Sequence, residues 1–137
     1  MFGKFILISM VASAQPQQQF DLVCSGTLES DSLSGKKSNA YSYRYRFDLT
    51  ANKWCDGECK APRDILRLAP TQITLADEKS DTPSERSFRQ ETIDRETGRH
   101  SLVSTSSSRL LGPMIMKWAG QCEKQPFSGF PKFETKF

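Results

Sequence analysis

Residues 41–49, Tyr-Ser-Tyr-Arg-Tyr-Arg-Phe-Asp-Leu, decide the fold class of this chain. Tyr41, Tyr43, Tyr45, Phe47 and Leu49 alternate with Ser42, Arg44, Arg46 and Asp48. A period of two, carried by aromatics that suit a pleated surface, specifies a strand with one buried and one wet face. Each buried aromatic removes about 150–250 Å² from water, which at about 25 cal/mol per Å² makes this strand a main source of core burial. Elsewhere no stretch of about ten residues keeps apolar side chains at helical spacing without a Gly or Pro break, so helix is expected to be scarce.

On the N-terminal side, FDLVCSGTLE at 20–29 places Phe20, Leu22, Cys24 and Leu28 on one face, with Gly26 marking a bulge or a close approach of a neighbouring backbone. The polar DSLSGKKSN at 31–39 reads as a loop joining this first strand to the organising strand in antiparallel fashion. Beyond the organising strand, Trp54 adjoins the small loop from Cys55 to Cys59. ILRL at 65–68 and ITLA at 73–76 form two short strands about Pro70, and the charged segment 77–85 with Pro83 is an exposed connection.

Residues 87–94 and 100–105 flank Arg95-Glu96-Thr97-Gly98, a type I turn closing on Gly98 in the left-handed region, and so form a hairpin. The last strand is MIMKWAGQ at 114–121, ahead of Cys122. In the final segment Phe127, Phe130 and Phe133 recur beside Pro126 and Pro131, which predicts an irregular aromatic tail covering one edge or one open end of the domain. The expectation is an all-β domain: a small antiparallel barrel or curved meander of about six to eight strands, closed by two disulfides.

The first residues describe transport rather than fold. Lys4, the apolar run FILISMV at 5–11 and Ala12-Ser13-Ala14 before a polar Gln-rich stretch read as a secretory signal peptide cleaved after Ala14. A membrane span needs about 20 apolar residues, so the mature chain is expected to lack a transmembrane segment and to be periplasmic or secreted. The domain plan is then a signal peptide at 1–14, a polar linker at 15–19, a β domain at 20–125 and an aromatic tail at 126–137 packed on it. Phe137 ends the chain as outer-membrane barrels end, but the alternate positions before it hold Thr135, Phe133, Pro131 and Gly129, which do not make a lipid-facing strand.

Cysteine usage agrees with export. The four Cys admit three pairings, and an oxidising compartment favours disulfides. Cys55 with Cys59 and Cys24 with Cys122 is the favoured set, the second tying a first strand to a last. Loss of Lys4 with the leader leaves 18 basic against 16 acidic side chains, too even a balance for a nucleic-acid footprint. Tyr and Arg interleave at 41–46, yet alternation sends them to opposite faces, which separates stacking groups from charges.

Catalytic chemistry leaves no signature. His100 is the single histidine and reads as a bystander on a polar hairpin. No phosphate loop, dinucleotide fingerprint, His-Glu-x-x-His or Gly-x-Ser-x-Gly elbow occurs. The Cys55 and Cys59 spacing is one residue wider than a redox CxxC, and residues 77–85 lack the ordering of a calcium loop. No catalytic residue, cofactor or metal site is expected.

FDLVC at 20–24, KWC at 53–55, IDRETG at 93–98 and QCEKQPFSGFPKF at 121–133 resemble a group of small exported alphaproteobacterial proteins, and the resemblance implies localisation. The chain is also similar to the periplasmic lysozyme-inhibitor β-barrels, which carry one Cys in an early strand and another near the end of the last. Those inhibitors hold a Ser-Gly-x-Arg-Tyr type loop late in the chain, whereas the nearest equivalent here is the earlier Ser34-Gly35 with Tyr41. The functional expectation is a non-enzymatic binding or interaction protein, its ligand small and apolar or its partner an envelope protein. The expected pocket is formed by Tyr41, Tyr43, Tyr45, Trp54 and Trp118, and the alternatives are inhibition of a secreted hydrolase or a structural role in the envelope.

Overall fold

A computed structural model describes residues 18–131 together with Gly3. The expected signal peptide apart from Gly3, residues 15–17 of the expected linker and residues 132–137 of the tail lie outside the described residues. Among the described residues the chain forms β1 (Gln19–Ser32), β2 (Gly35–Asp48), β3 (Lys53–Asp56), β4 (Arg63–Asp64), β5 (Arg67–Leu68), β6 (Gln72–Asp81), β7 (Glu85–Asp94), β8 (Arg99–Ser108) and β9 (Gly112–Gln125). All belong to one antiparallel sheet in the order β4-β3-β2-β1-β9-β8-β7-β6-β5. The first strand pairs with the last, so both lie mid-sheet and the rest of the chain fans out on either side.

The strand count exceeds the expected six to eight, and the barrel is open. Its edges, β4 and β5, are only two residues long and cannot make a ladder with each other. A strap of chain spans the gap instead: the Ile65 amide donates to the Asn52 carbonyl at 3.0 Å and the Leu66 amide to the Thr74 carbonyl at 3.1 Å. The result is a curled half-barrel.

Alternation behaves as the organising stretch dictates. Tyr41, Tyr45, Phe47 and Leu49 are buried, and Phe20, Leu22, Cys24, Trp54, Ile65, Ile73, Leu75, Ile93 and Leu102 join them on the concave side. Both disulfides are the favoured pairs. Cys24–Cys122 links directly opposed residues of β1 and β9, and Cys55–Cys59 closes the loop after β3.

Two predicted connections are strands. Residues 31–39 continue β1 and β2 as a regular hairpin whose turn is only Leu33-Ser34, with Asp31 opposite Lys36 and Glu29 opposite Ser38. Residues 77–81 likewise extend β6, pairing with β7 up to Asp81 and Arg86. Polar composition marked these segments as loops, but both faces at that end of the sheet are partly solvated, so no apolar alternation was needed to hold them. At the opposite end the 95–98 turn forms as expected, with Gly98 at φ 76° and Asp94 Oδ1 accepting the amides of Glu96 and Thr97, each at 2.8 Å.

Residues 126–131 of the tail bind the outer face of β1 and β2 near the strand ends closest to the 95–98 turn, away from the sheet edges. Asp21 is buried and accepts from the Ser128 amide at 3.1 Å, the Ser128 hydroxyl at 2.6 Å and Arg44 Nε at 2.9 Å. Arg46 donates to the Gly129 carbonyl at 2.9 Å, and Phe127 and Phe130 meet edge to face. Asp21 on β1 and Arg44 and Arg46 on β2 alternate with the inward residues of their strands, so the tail covers the convex side.

Candidate functional site

The five expected pocket residues do not share one cavity. Tyr41, Tyr45 and Trp54 are buried in the core, while Tyr43 is 39% exposed and Trp118 is half-buried. Trp54 Nε1 donates to the Asp64 carbonyl at 3.2 Å, with the Arg63 guanidinium 4.0 Å over its ring. Trp118 Nε1 donates to the Tyr43 hydroxyl at 3.1 Å. Packing and hydrogen bonds therefore occupy the tyrosine face.

That face carries a buried polar cluster. His100 on β8 and Glu91 on β7 fall on inward positions, beside Leu102 and Ile93, and both are buried. Glu91 Oε2 lies 2.8 Å from His100 Nε2 and accepts from the Tyr45 hydroxyl at 2.8 Å. The Tyr41 hydroxyl meets His100 Nδ1 at 2.8 Å. Both ring nitrogens of His100 are partnered, Nε2 by the carboxylate and Nδ1 by the Tyr41 hydroxyl. His100 is thus a core residue rather than the bystander its polar hairpin suggested.

Backbone clearance makes the cluster possible. Tyr41, Gly26, Gly120 and His100 form one register row across β2, β1, β9 and β8. A Cβ on Gly26 would run into the Ala119 carbonyl, and one on Gly120 into the Ser25 carbonyl and the Tyr41 hydroxyl. Gly26 therefore marks a close backbone approach rather than a bulge. The paired glycines let the Tyr41 ring cross two strands to reach His100.

The electrostatics favour a fixed structure over reactivity. Burial, then Tyr43 and Glu91, push the Tyr41 phenol up to about 12. Burial, followed by the neighbouring Glu91 charge and its hydrogen bond, raises the Tyr45 phenol strongly. Burial acts to raise Glu91 as well, but hydrogen bonds from His100 and Tyr45, with the charges of His100 and Arg89, outweigh it and hold the carboxyl below the usual range. The hydroxyl, imidazole and carboxylate are aligned as in a nucleophile relay, yet the hydroxyl is a buried phenol held protonated. Among the described residues no group of three or more His, Cys, Asp or Glu is placed to hold a metal ion.

Open space lies instead at the end of the half-barrel beside the 95–98 turn. A cavity of about 270 Å³ is lined by Phe20, Leu22, Ile73, Ile93 and Cys122, with Asp94, Arg95, Gly98 and Lys124 at its rim. Lys124 Nζ lies 5.1 Å from the centre of the Phe20 ring, and no ion pair to it occurs among the described residues. The amides of Glu96 and Thr97 hold the Asp94 carboxylate ionised within the turn. Apolar walls with a cation at the mouth suit a ligand that is apolar along its body and anionic at one end.

Comparison of the chain with protein families, curated proteins and solved structures finds no match in any of the three. No helix among the described residues is long and apolar enough to cross a membrane.

The sequence missed two features of the site. The alternation Glu91-Ile93 and His100-Leu102 already put both polar residues on the apolar face, and that signal was readable. Nothing local indicated that Ile73 and Ile93 would meet Phe20 and Leu22 around a cavity, because that requires the curl that brings β6 and β7 round to face β1.

Proposed function

We propose that this chain is an exported, non-enzymatic binding protein that holds a small amphipathic anion, such as a medium-chain alkyl carboxylate, in the cavity beside the 95–98 turn. The reading rests on one observation: four apolar core side chains, Phe20, Leu22, Ile73 and Ile93, line an opening whose rim carries Lys124 without a carboxylate partner among the described residues. The ligand's body takes the place of water against these side chains, and its carboxylate meets the ammonium group at the mouth. Of the aromatic residues first expected to bind the ligand, Tyr41 and Tyr45 instead belong to the buried cluster with His100 and Glu91.

Calorimetric titration tests this reading. Octanoate is expected to bind saturably, octanol at least tenfold more weakly, and Lys124→Glu to weaken octanoate at least tenfold while leaving the thermal midpoint close to that of the parent. Failure of the parent to bind octanoate, or equal affinity in Lys124→Glu, would overturn it.

A further inference from the structure

The pole opposite the cavity carries three leucines that a folded domain ordinarily keeps out of water. Leu33 is 77% exposed in the β1–β2 turn, and Leu110 and Leu111 are 96% and 77% exposed in the β8–β9 turn. Met114 at 41% and Ile115 at 39% add exposed apolar area on the two faces of β9 next to this turn. The two turns are neighbours: β1 pairs with β9 as far as Asp31 and Ile115, and the Leu33 side chain lies over Gly112.

Their shape and charge narrow the choice of partner. The leucines stand on the tips of two-stranded projections rather than around a groove, so a rigid partner would need a matching cavity, whereas a fluid interface accepts protruding tips as they are. Lys36, Lys37, Arg109 and Lys117 surround them and are exposed. Lys36 and Lys117 stand opposite Asp31 and Glu29, which leaves Lys37 and Arg109 as the unbalanced cations. The third turn at this pole, at 82–84, is polar: its Arg86 is paired with Asp81 at 3.1 Å, and its Glu85, which shares a pocket with Arg109, is offset in number by Lys79, so the pole keeps a small cationic excess. Apolar tips with a modest cationic excess fit the headgroup layer of a membrane containing anionic lipid.

We infer that this pole is a peripheral membrane-docking surface, in which Leu33, Leu110 and Leu111 enter the lipid interface and Lys37 and Arg109 meet anionic headgroups. The strands stay outside the bilayer, and the cavity, at the other end of strands of 14 residues, lies about 40 Å away and faces the aqueous phase. The surface is independent of the cavity and of any ligand in it.

Flotation with vesicles tests the inference, using phosphatidylcholine alone and phosphatidylcholine with about one-third phosphatidylglycerol. The parent protein is expected to float with the anionic vesicles and at least fivefold less with the neutral ones. A Leu33→Ser/Leu110→Ser/Leu111→Ser variant is expected to lose at least tenfold, and Lys37→Ser/Arg109→Ser a few-fold. Because all five positions are exposed, unchanged circular dichroism and thermal midpoint are expected to show that the variants fold. No flotation of the parent, or undiminished flotation of the leucine variant, would overturn the docking surface; equal binding to both vesicle types would overturn the headgroup contact. Leucine-dependent dimerisation in sedimentation velocity without vesicle binding would also overturn it, and would assign the patch to a second copy of the chain.

Discussion

The Tyr41 hydroxyl reaches His100 Nδ1 at 2.8 Å by crossing two strands, over a floor cleared by Gly26 and Gly120 standing side by side on β1 and β9. No side chain other than hydrogen fits beneath it. Gly120→Ala is therefore expected to destabilise the fold by about 2–4 kcal/mol through overpacking and loss of a buried hydrogen bond. The check is urea denaturation of parent and variant, read as a lower midpoint at constant slope. A variant as stable as the parent would mean that Tyr41 does not lie across Gly120.

Glu91 makes the fold sensitive to acid. Its folded pKa is held below the ordinary value of 4.5, so its contribution to stability is present above that value and is lost as pH falls through the lower, folded one. Glu91→Gln is expected to flatten the acid limb of the stability curve between about pH 5 and pH 3 and to lower stability at neutral pH by about 2–4 kcal/mol. Unfolding free energy measured across that range gives the test. An acid limb unchanged by the substitution would place the titrating group elsewhere.

The two disulfides are expected to differ in weight. Cys24–Cys122 spans 98 residues and Cys55–Cys59 spans 4. The chain-entropy relation gives about 4.7 kcal/mol for the long loop and about 2 kcal/mol for the short one. Denaturation of the two paired Cys→Ala variants is expected to show the long-range pair costing roughly twice as much, and equal losses would contradict the account.

Asp21 holds the tail. It is buried, with Arg44 and Ser128 as its partners, so Asp21→Ala leaves their donors unmet and frees residues 126–131 from the convex side. The expected outcome is a loss of about 2–3 kcal/mol and faster proteolytic removal of the C-terminal segment, followed by mass spectrometry. Cleavage at the parental rate would mean that other contacts hold the tail.

The sequence disclosed the parts of this fold that depend on burial and turn chemistry. Strand alternation at 41–49 and the glycine at position 98 each follow from a local rule and are present, and the Cys24–Cys122 pair, favoured among three possible pairings, forms. Residues 31–39 and 77–81 were legible only as polar, because their ends of the strands extend past the core and need no apolar face. His100 and Glu91 were misplaced by their chemistry: a polar residue on an inward position looks solvated until its partners are known, and those partners, Tyr41 and Tyr45, lie more than forty residues away. The cavity depends on the curl that brings β6 and β7 round to face β1, and the convex seat of the tail on the buried Asp21. Neither has a local signal.

The most direct test of the central claim is a methyl and amide NMR titration of the folded protein with octanoate. Saturable shifts are expected in the methyls of Leu22, Ile73 and Ile93 and in the amides of Arg95 and Gly98, with Leu33, Leu110 and Leu111 unmoved. Absence of saturable shifts, or shifts centred on Tyr43 and Trp118 instead, would contradict the assignment of the cavity beside the 95–98 turn as the binding site.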